Sequence, residues 1–154
     1  LAGSAAFWIA SAASELVVIP SGLVGSIGVV AIHRDVSKQD EKEGVRTTLI
    51  SAGKFKTEAS PFEPLADEAR QHIQKLADGF MSMFVRAVAR NRDVPISEVQ
   101  GGFGEGRLVA AKDALRLGMV DRIGTMDETL KRLASNRPRR NMAAERRRME
   151  LLAF

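Results

Sequence analysis

Cysteine is absent from this 154-residue chain. Disulfide staples, thiolate metal sites and a cysteine nucleophile go with it, and the redox compartment stays open. Histidine is scarce. His33 and His72 stand far apart, without His-x-x-x-His spacing, so no transition-metal site is expected and no cofactor is called for. Charge is nearly missing from residues 1–32, where Glu15 is the single ionisable side chain. That run has the length of a membrane span, but Pro20, Gly22, Gly25 and Gly28 interrupt it too often for a spanning helix. No positive segment precedes it, as a secretory leader would require. Buried core elements are the better account. The chain also starts at Leu1 rather than methionine, which reads as a processed start or a piece of a longer protein.

What is present is enough for one domain with a real core: 45% hydrophobic and 27% charged residues. The net charge of +4 is localised. Residues 136–154 hold six arginines and two glutamates, so residues 1–135 are neutral overall. Arg146, Arg147 and Arg148 lack interleaved aromatics, which favours a solvated or oligomer-facing stretch over a nucleic-acid contact. No nucleic-acid partner is expected.

Periodicity divides the chain into alternating elements. Residues 5–13 read as a short apolar helix and ELVVIP (15–20) as a strand stopped by proline. A glycine loop, SGLVGS (21–26), leads to a second apolar strand, IGVVAI (27–32). Residues 35–44 form an exposed helix closed by Gly44, and VRTTLIS (45–51) a third strand. A proline-bearing loop (52–64) precedes the longest helix, 65–91, where Ala69, Ile73, Leu76, Phe80, Phe84 and Ala87 recur at steps of three and four. A short helix near 96–99, the glycine-rich GGFGEG (101–106), extended GRLV, a helix ending at Gly118, extended MVDRIG and a last helix, MDETLKRLA, complete the body. Strands alternating with helices predict an α/β fold around a largely parallel sheet.

Candidate chemistry narrows quickly. GGFGEG resembles a phosphate cradle only in composition: it follows a helix and precedes an extended segment, so a connector is the expected role. His33-Arg34-Asp35 imitates a kinase catalytic loop without the asparagine or glycine loop that should accompany it. Ser4, in LAGSAAF, admits two readings. Small neighbours suit a helix cap, and they equally suit a nucleophile elbow, whose tight turn leaves no room for larger side chains. A serine nucleophile needs a base within reach. Exposed lysine titrates at roughly 10.4, and burial in an apolar pocket can leave its amine neutral. Lys54 and Lys56, near Phe55 and Phe62 in the loop after the third strand, are the available candidates.

Three segments in order carry a family resemblance. AGSAAFWIASAASELVVIPSGLVGSIGVV resembles the nucleophile region of the signal peptide peptidase A family of serine proteases, which includes phage-encoded members that mature capsids. TLISAGKFKTEASPFEPL is similar to its lysine segment, and GRLVAAKDALRLGMVDRIGTMDETL to its downstream signature. The resemblance covers about residues 2–134 and implies the ClpP/crotonase-like α/β spiral fold. It implies Ser4 as nucleophile, Lys56 as general base, and Ser26 as the hydroxyl that hydrogen-bonds the lysine amine. The amide of Ala5 or Ser4 would give one oxyanion donor, and a full hole normally takes two. Ala5-Ala6 follow the serine where the family usually has a glycine.

The family's remaining strands and oxyanion glycines lie upstream of the serine. Residues 1–135 are therefore expected to be the C-terminal portion of a protease domain, with 136–154 a basic, helix-prone tail. The implied activity is a serine endopeptidase acting through an acyl-enzyme on peptide or protein substrates, in capsid maturation or in signal-peptide degradation. The family also implies a homo-oligomer, cytoplasmic for the phage role and membrane-associated or periplasmic for the other. The alternative is a non-catalytic assembly module that keeps the fold.

Overall fold

The computed structural model describes residues 1–135, so the arginine-rich tail lies outside the described residues. The chain enters through β1 (Ala2–Gly3) and turns at Ser4 into α1 (Ala5–Ser11). β2 (Val17–Val18) and β3 (Leu23–Gly25) follow, then α2 (Ser37–Glu43). The long α3 spans Asp67–Arg92, and α4 (Ile96–Gly102) packs against it. β4 (Leu108–Ala110), α5 (Ala111–Arg116), β5 (Arg122–Ile123) and α6 (Met126–Ser135) complete the fold.

Helix boundaries follow local chemistry. Gly44 ends α2 at φ 69°, a left-handed conformation that costs glycine little. α3 begins with Asp67 and Glu68 and ends with Arg90 and Arg92, matching charge to the helix dipole at both ends. Its C-terminal half is the centre of the core. Phe84, Val85 and Val88 are buried there with Phe7 of α1, Phe103 after α4 and Met119 after α5. Each fully buried phenylalanine contributes up to about 3 kcal/mol through apolar burial.

The expected sheet is only partly present. β1 pairs with β3 in parallel and β2 with β5 in parallel, but β3 pairs with β4 antiparallel, giving two small sheets ordered β1-β3-β4 and β2-β5. The strands read at 27–32 and 45–51 do not form. Their β-branched side chains satisfy propensity, yet a strand also needs a neighbour for its N–H and C=O groups. Among the described residues none pairs with them, and Val30, Ile32 and Ile50 stand 82%, 87% and 95% exposed. The apolar stripe of α3 is likewise buried only in part. Phe84 and Ala87 lie in the core, whereas Leu76 and Phe80 are each about half exposed. Periodicity identifies the apolar face of a helix but not how much of its length another element covers.

One polar junction ties three parts of the body together. Arg92, whose side chain is only 7% exposed, donates Nε to the Gly118 carbonyl at 3.1 Å and both terminal nitrogens to the Asp121 carboxylate at 2.6 and 3.0 Å. Asp121 also accepts the Leu16 amide at 2.7 Å. These donors, Arg92 first, hold the Asp121 carboxyl below the usual carboxylate range. A depressed folded-state pKa stabilises the fold above the unfolded value and is lost as pH falls through the folded value. Asp121→Asn should therefore lower Tm at neutral pH, and the gap from wild type should shrink as pH drops below about 4. Thermal melts at stepped pH measure this. Arg92→Ala should cost about 2 kcal/mol in urea unfolding, because it removes a bidentate, mostly buried partner.

Candidate functional site

The site is built where β1 meets α1. Ser4 adopts φ 53° and ψ −127°, a combination that side-chain-bearing residues rarely occupy and that costs about 1–3 kcal/mol. The surroundings enforce it. The Ser4 amide donates to the Gly25 carbonyl at 2.8 Å, and the Ser4 carbonyl accepts the Trp8 amide at 3.0 Å as the first bond of α1. The residue thus ends a parallel strand and starts a helix within a single step. Its hydroxyl makes no capping bond, and the side chain is exposed. The two readings of this serine separate here: it stands at the cap position, but its hydroxyl is uncommitted on a strained strand-to-helix turn.

Neighbouring residues are small where the backbone needs room. A Cβ on Gly3 would meet Leu108 Cδ2 at 3.0 Å and Ser26 Cβ at 3.5 Å. Gly25 sits at φ 104°, with Met119 Cε at 3.0 Å and the Arg107 carbonyl at 3.1 Å from where a Cβ would stand. The register Gly3↔Gly25 sets Ser26, just past the end of β3, beside Ser4, just past the end of β1. Ser26 itself has φ 51°, and its amide donates to the Arg107 carbonyl at 2.8 Å. GGFGEG is a connector in this arrangement: its first two glycines end α4, and Gly104, Glu105 and Gly106 turn the chain with positive φ into Arg107. That connector supports Ser26.

The Ser4 amide is engaged by Gly25, so of the two oxyanion candidates only Ala5, at the first position of α1, keeps an N–H without an intrahelical acceptor.

Lys56 is not beside this pair. It is exposed, within a run of turns where its amide donates to the Gly53 carbonyl at 3.2 Å. Its neighbours Phe55 and Thr57 share a hollow with Ala66 and Ala69, at the start of α3. The Ser4 turn packs near the other end of α3, through Trp8 stacked on Phe84 at 4.7 Å. Fifteen residues of helix separate Ala69 from Phe84, about 22 Å along the axis. Phe55 and Phe62, 50% and 42% exposed, bury neither lysine, and Lys54 Nζ lies 4.6 Å from the Phe55 ring centre. Ser4, Ser26 and Ala5 converge; Lys56 stands at the far end of the helix.

The His33-Arg34-Asp35 stretch, set aside in the sequence, makes local contacts. His33 Nε2 lies 3.0 Å from the Ser60 carbonyl, and Asp35 accepts the Ser37 amide and hydroxyl at the start of α2. Sequence reasoning missed Ser11 and Asn91, which bond to each other at 2.9 Å behind the Ser4 turn. Eighty positions separate them, and no motif links them. Among the described residues no helix is long and apolar enough to cross a membrane.

Comparison with known proteins shows the family. The profile of peptidase family S49 matches residues 1–138. The chain is 31% identical over 120 residues to the capsid assembly protease C of Escherichia phage lambda, covering 78% of this chain and 27% of that protein. It is 30% identical over 131 residues to the chloroplastic serine protease SPPA of Arabidopsis thaliana, covering 84% and 19%. A Methanocaldococcus jannaschii protein named as a candidate protease is 32% identical over 133 residues, covering 86% and 42%. The chain spans less than half the length of each of these relatives. With a profile matched across all of its described residues, this chain belongs to peptidase family S49.

Proposed function

We propose that the chain carries the catalytic elements of a serine endopeptidase of the ClpP/crotonase-like spiral fold, with Ser4 as nucleophile and Lys56 as general base. The observation that carries this reading is the Ser4 turn: a strained backbone, a free hydroxyl and a helix amide, Ala5, on the same step. Neutral Lys56 Nζ accepts the Ser4 Oγ proton as Oγ bonds the scissile carbonyl carbon. The Ala5 N–H donates to the resulting oxyanion, which a second donor must also meet. Lysine then returns the proton to the departing amine, and a water, deprotonated by the same lysine, releases the acyl group from Ser4. The Ser26 hydroxyl beside Ser4 orients the amine without offering a negative charge that would hold it as ammonium.

The separation along α3 decides how the pair meets. The hollow beside the Lys56 loop and the Trp8–Phe84 stack lie about 22 Å apart along α3, which supports a lysine supplied to Ser4 by a neighbouring copy. Assembly would also cover Phe55, Phe62 and the unpaired 27–32 and 45–51 segments, supplying the desolvation that a lysine base requires. Peptide or protein is the substrate class. Relatives named for capsid assembly and for signal peptide cleavage leave two biological settings, a phage head and a secretory membrane. The basic tail at 136–154 favours the former, as an extension following the protease.

A fluorophosphonate probe tests the dyad on the full-length protein. Labelling is expected on Ser4, with loss of at least about a hundredfold in Ser4→Ala and Lys56→Ala. An unlabelled wild-type protein would mean a non-catalytic assembly module. Mixing the two inactive variants separates the arrangements further. If Lys56 acts across copies, about a quarter of the sites in a random assembly regain both groups, and labelling returns to that extent. If Lys56 serves its own chain, the mixture stays inactive.

A further inference from the structure

Ser11 is the one polar residue among the described residues that is fully buried. Its hydroxyl is used in both directions, donating to the Trp8 carbonyl at 2.7 Å and accepting Asn91 Nδ2 at 2.9 Å. The donation matters because the turn after α1 tightens. The Ala12 amide donates to the Ile9 carbonyl and the Ala13 amide to the Ala10 carbonyl, so the Trp8 carbonyl takes no amide from Ala12 and Ser11 satisfies it instead. A seven-residue helix does not hold itself in water. α1 is held on α3 at two points one turn apart, the Trp8–Phe84 stack, with rings 6° from parallel, and the Ser11–Asn91 bond.

Asn91 is also mounted on a fixed base. The next residue, Arg92, binds Gly118 and Asp121, so consecutive residues at the end of α3 anchor α1 and the 118–121 segment. We infer that Ser11 and Asn91 form a buried clamp that fixes α1 on α3 and so holds the Ser4 turn in its strained conformation, making Asn91 a positioning residue for the nucleophile. The inference rests on the reading of Ser4 as nucleophile, and nothing in the family resemblance points to Asn91. Strained backbone at a functional residue persists only when its surroundings over-determine it. In front of Ser4 that role belongs to Gly25; behind it, to the clamp.

Asn91→Ala and the near-isosteric Asn91→Asp test this in the full-length protein. A carboxylate in place of the Asn91 amide would draw the Ser11 proton away from the Trp8 carbonyl without leaving a cavity, so Asn91→Asp serves where the alanine variant folds poorly. Two readouts are taken, the rate of fluorophosphonate labelling at Ser4 and amide hydrogen exchange across residues 4–12. Both variants should label about tenfold more slowly, the equivalent of one lost hydrogen bond. Exchange at 4–12 should accelerate by a similar factor while the rest of the chain keeps its protection. Ser11→Ala, which also leaves the Trp8 carbonyl without its donor, should be at least as slow, and the Ser11→Ala/Asn91→Ala double variant should be no slower than Ser11→Ala, because the bond that Asn91 makes is already gone. Asp113→Ala, on an exposed pair, should leave both readouts unchanged. Wild-type labelling and exchange in Asn91→Asp, or additive losses in the double variant, would overturn the clamp. Faster exchange at 4–12 in a protein whose wild type never labels would keep the clamp and overturn the nucleophile.

Discussion

The Ser4 amide bonded to the Gly25 carbonyl is the interaction on which the site depends. It carries the β1–β3 contact one residue past the Gly3↔Gly25 pair, at a position where a serine favours an ordinary helix-cap conformation. The bond instead holds the serine backbone at φ 53°, lifts the hydroxyl clear of the helix amides and leaves the Ala5 N–H open. The glycines around it are consequences of the same constraint. Gly3 and Gly25 lie where two parallel strands and the Arg107–Leu108 segment approach too closely for a side chain.

α3 divides the molecule into two environments. Its C-terminal half lies in the core, stacks Phe84 on Trp8 and anchors two segments through Asn91 and Arg92. Its N-terminal half is largely exposed and carries the Lys56 loop. One chain therefore presents the strained Ser4 turn at one end of α3 and an exposed Lys56 at the other. A charged, exposed lysine is a poor base, and burying it needs surface that the described residues of a single copy do not provide. In the proposed site, assembly would both bring the two groups together and dry the lysine, which ties activity to the oligomer.

The sequence was informative where function depends on small residues in local order. The strand-to-helix step at Ser4, the connector role of GGFGEG, the closure of α2 by Gly44 and the helices near 67–92 and 111–116 were all legible, because each is decided within a few residues. Pairing was not. IGVVAI and VRTTLIS have the composition of strands, but composition carries no information about whether an edge is available. The antiparallel approach of β4 to β3 is equally invisible, since it follows from the turn at Gly104–Gly106 and not from any pattern in GRLV. Ser11 and Asn91 are ordinary residues whose meaning comes only from being brought together across eighty positions.

The most direct measurement is a crystal structure of the full-length protein after reaction with a fluorophosphonate. The predicted result is a phosphonyl group on Ser4 Oγ, an adduct oxygen within hydrogen-bond distance of the Ala5 amide, and the Lys56 amine of an adjacent copy against the Ser26 hydroxyl. Unmodified Ser4, or an adduct on Ser4 approached by Lys56 of its own chain, would contradict it.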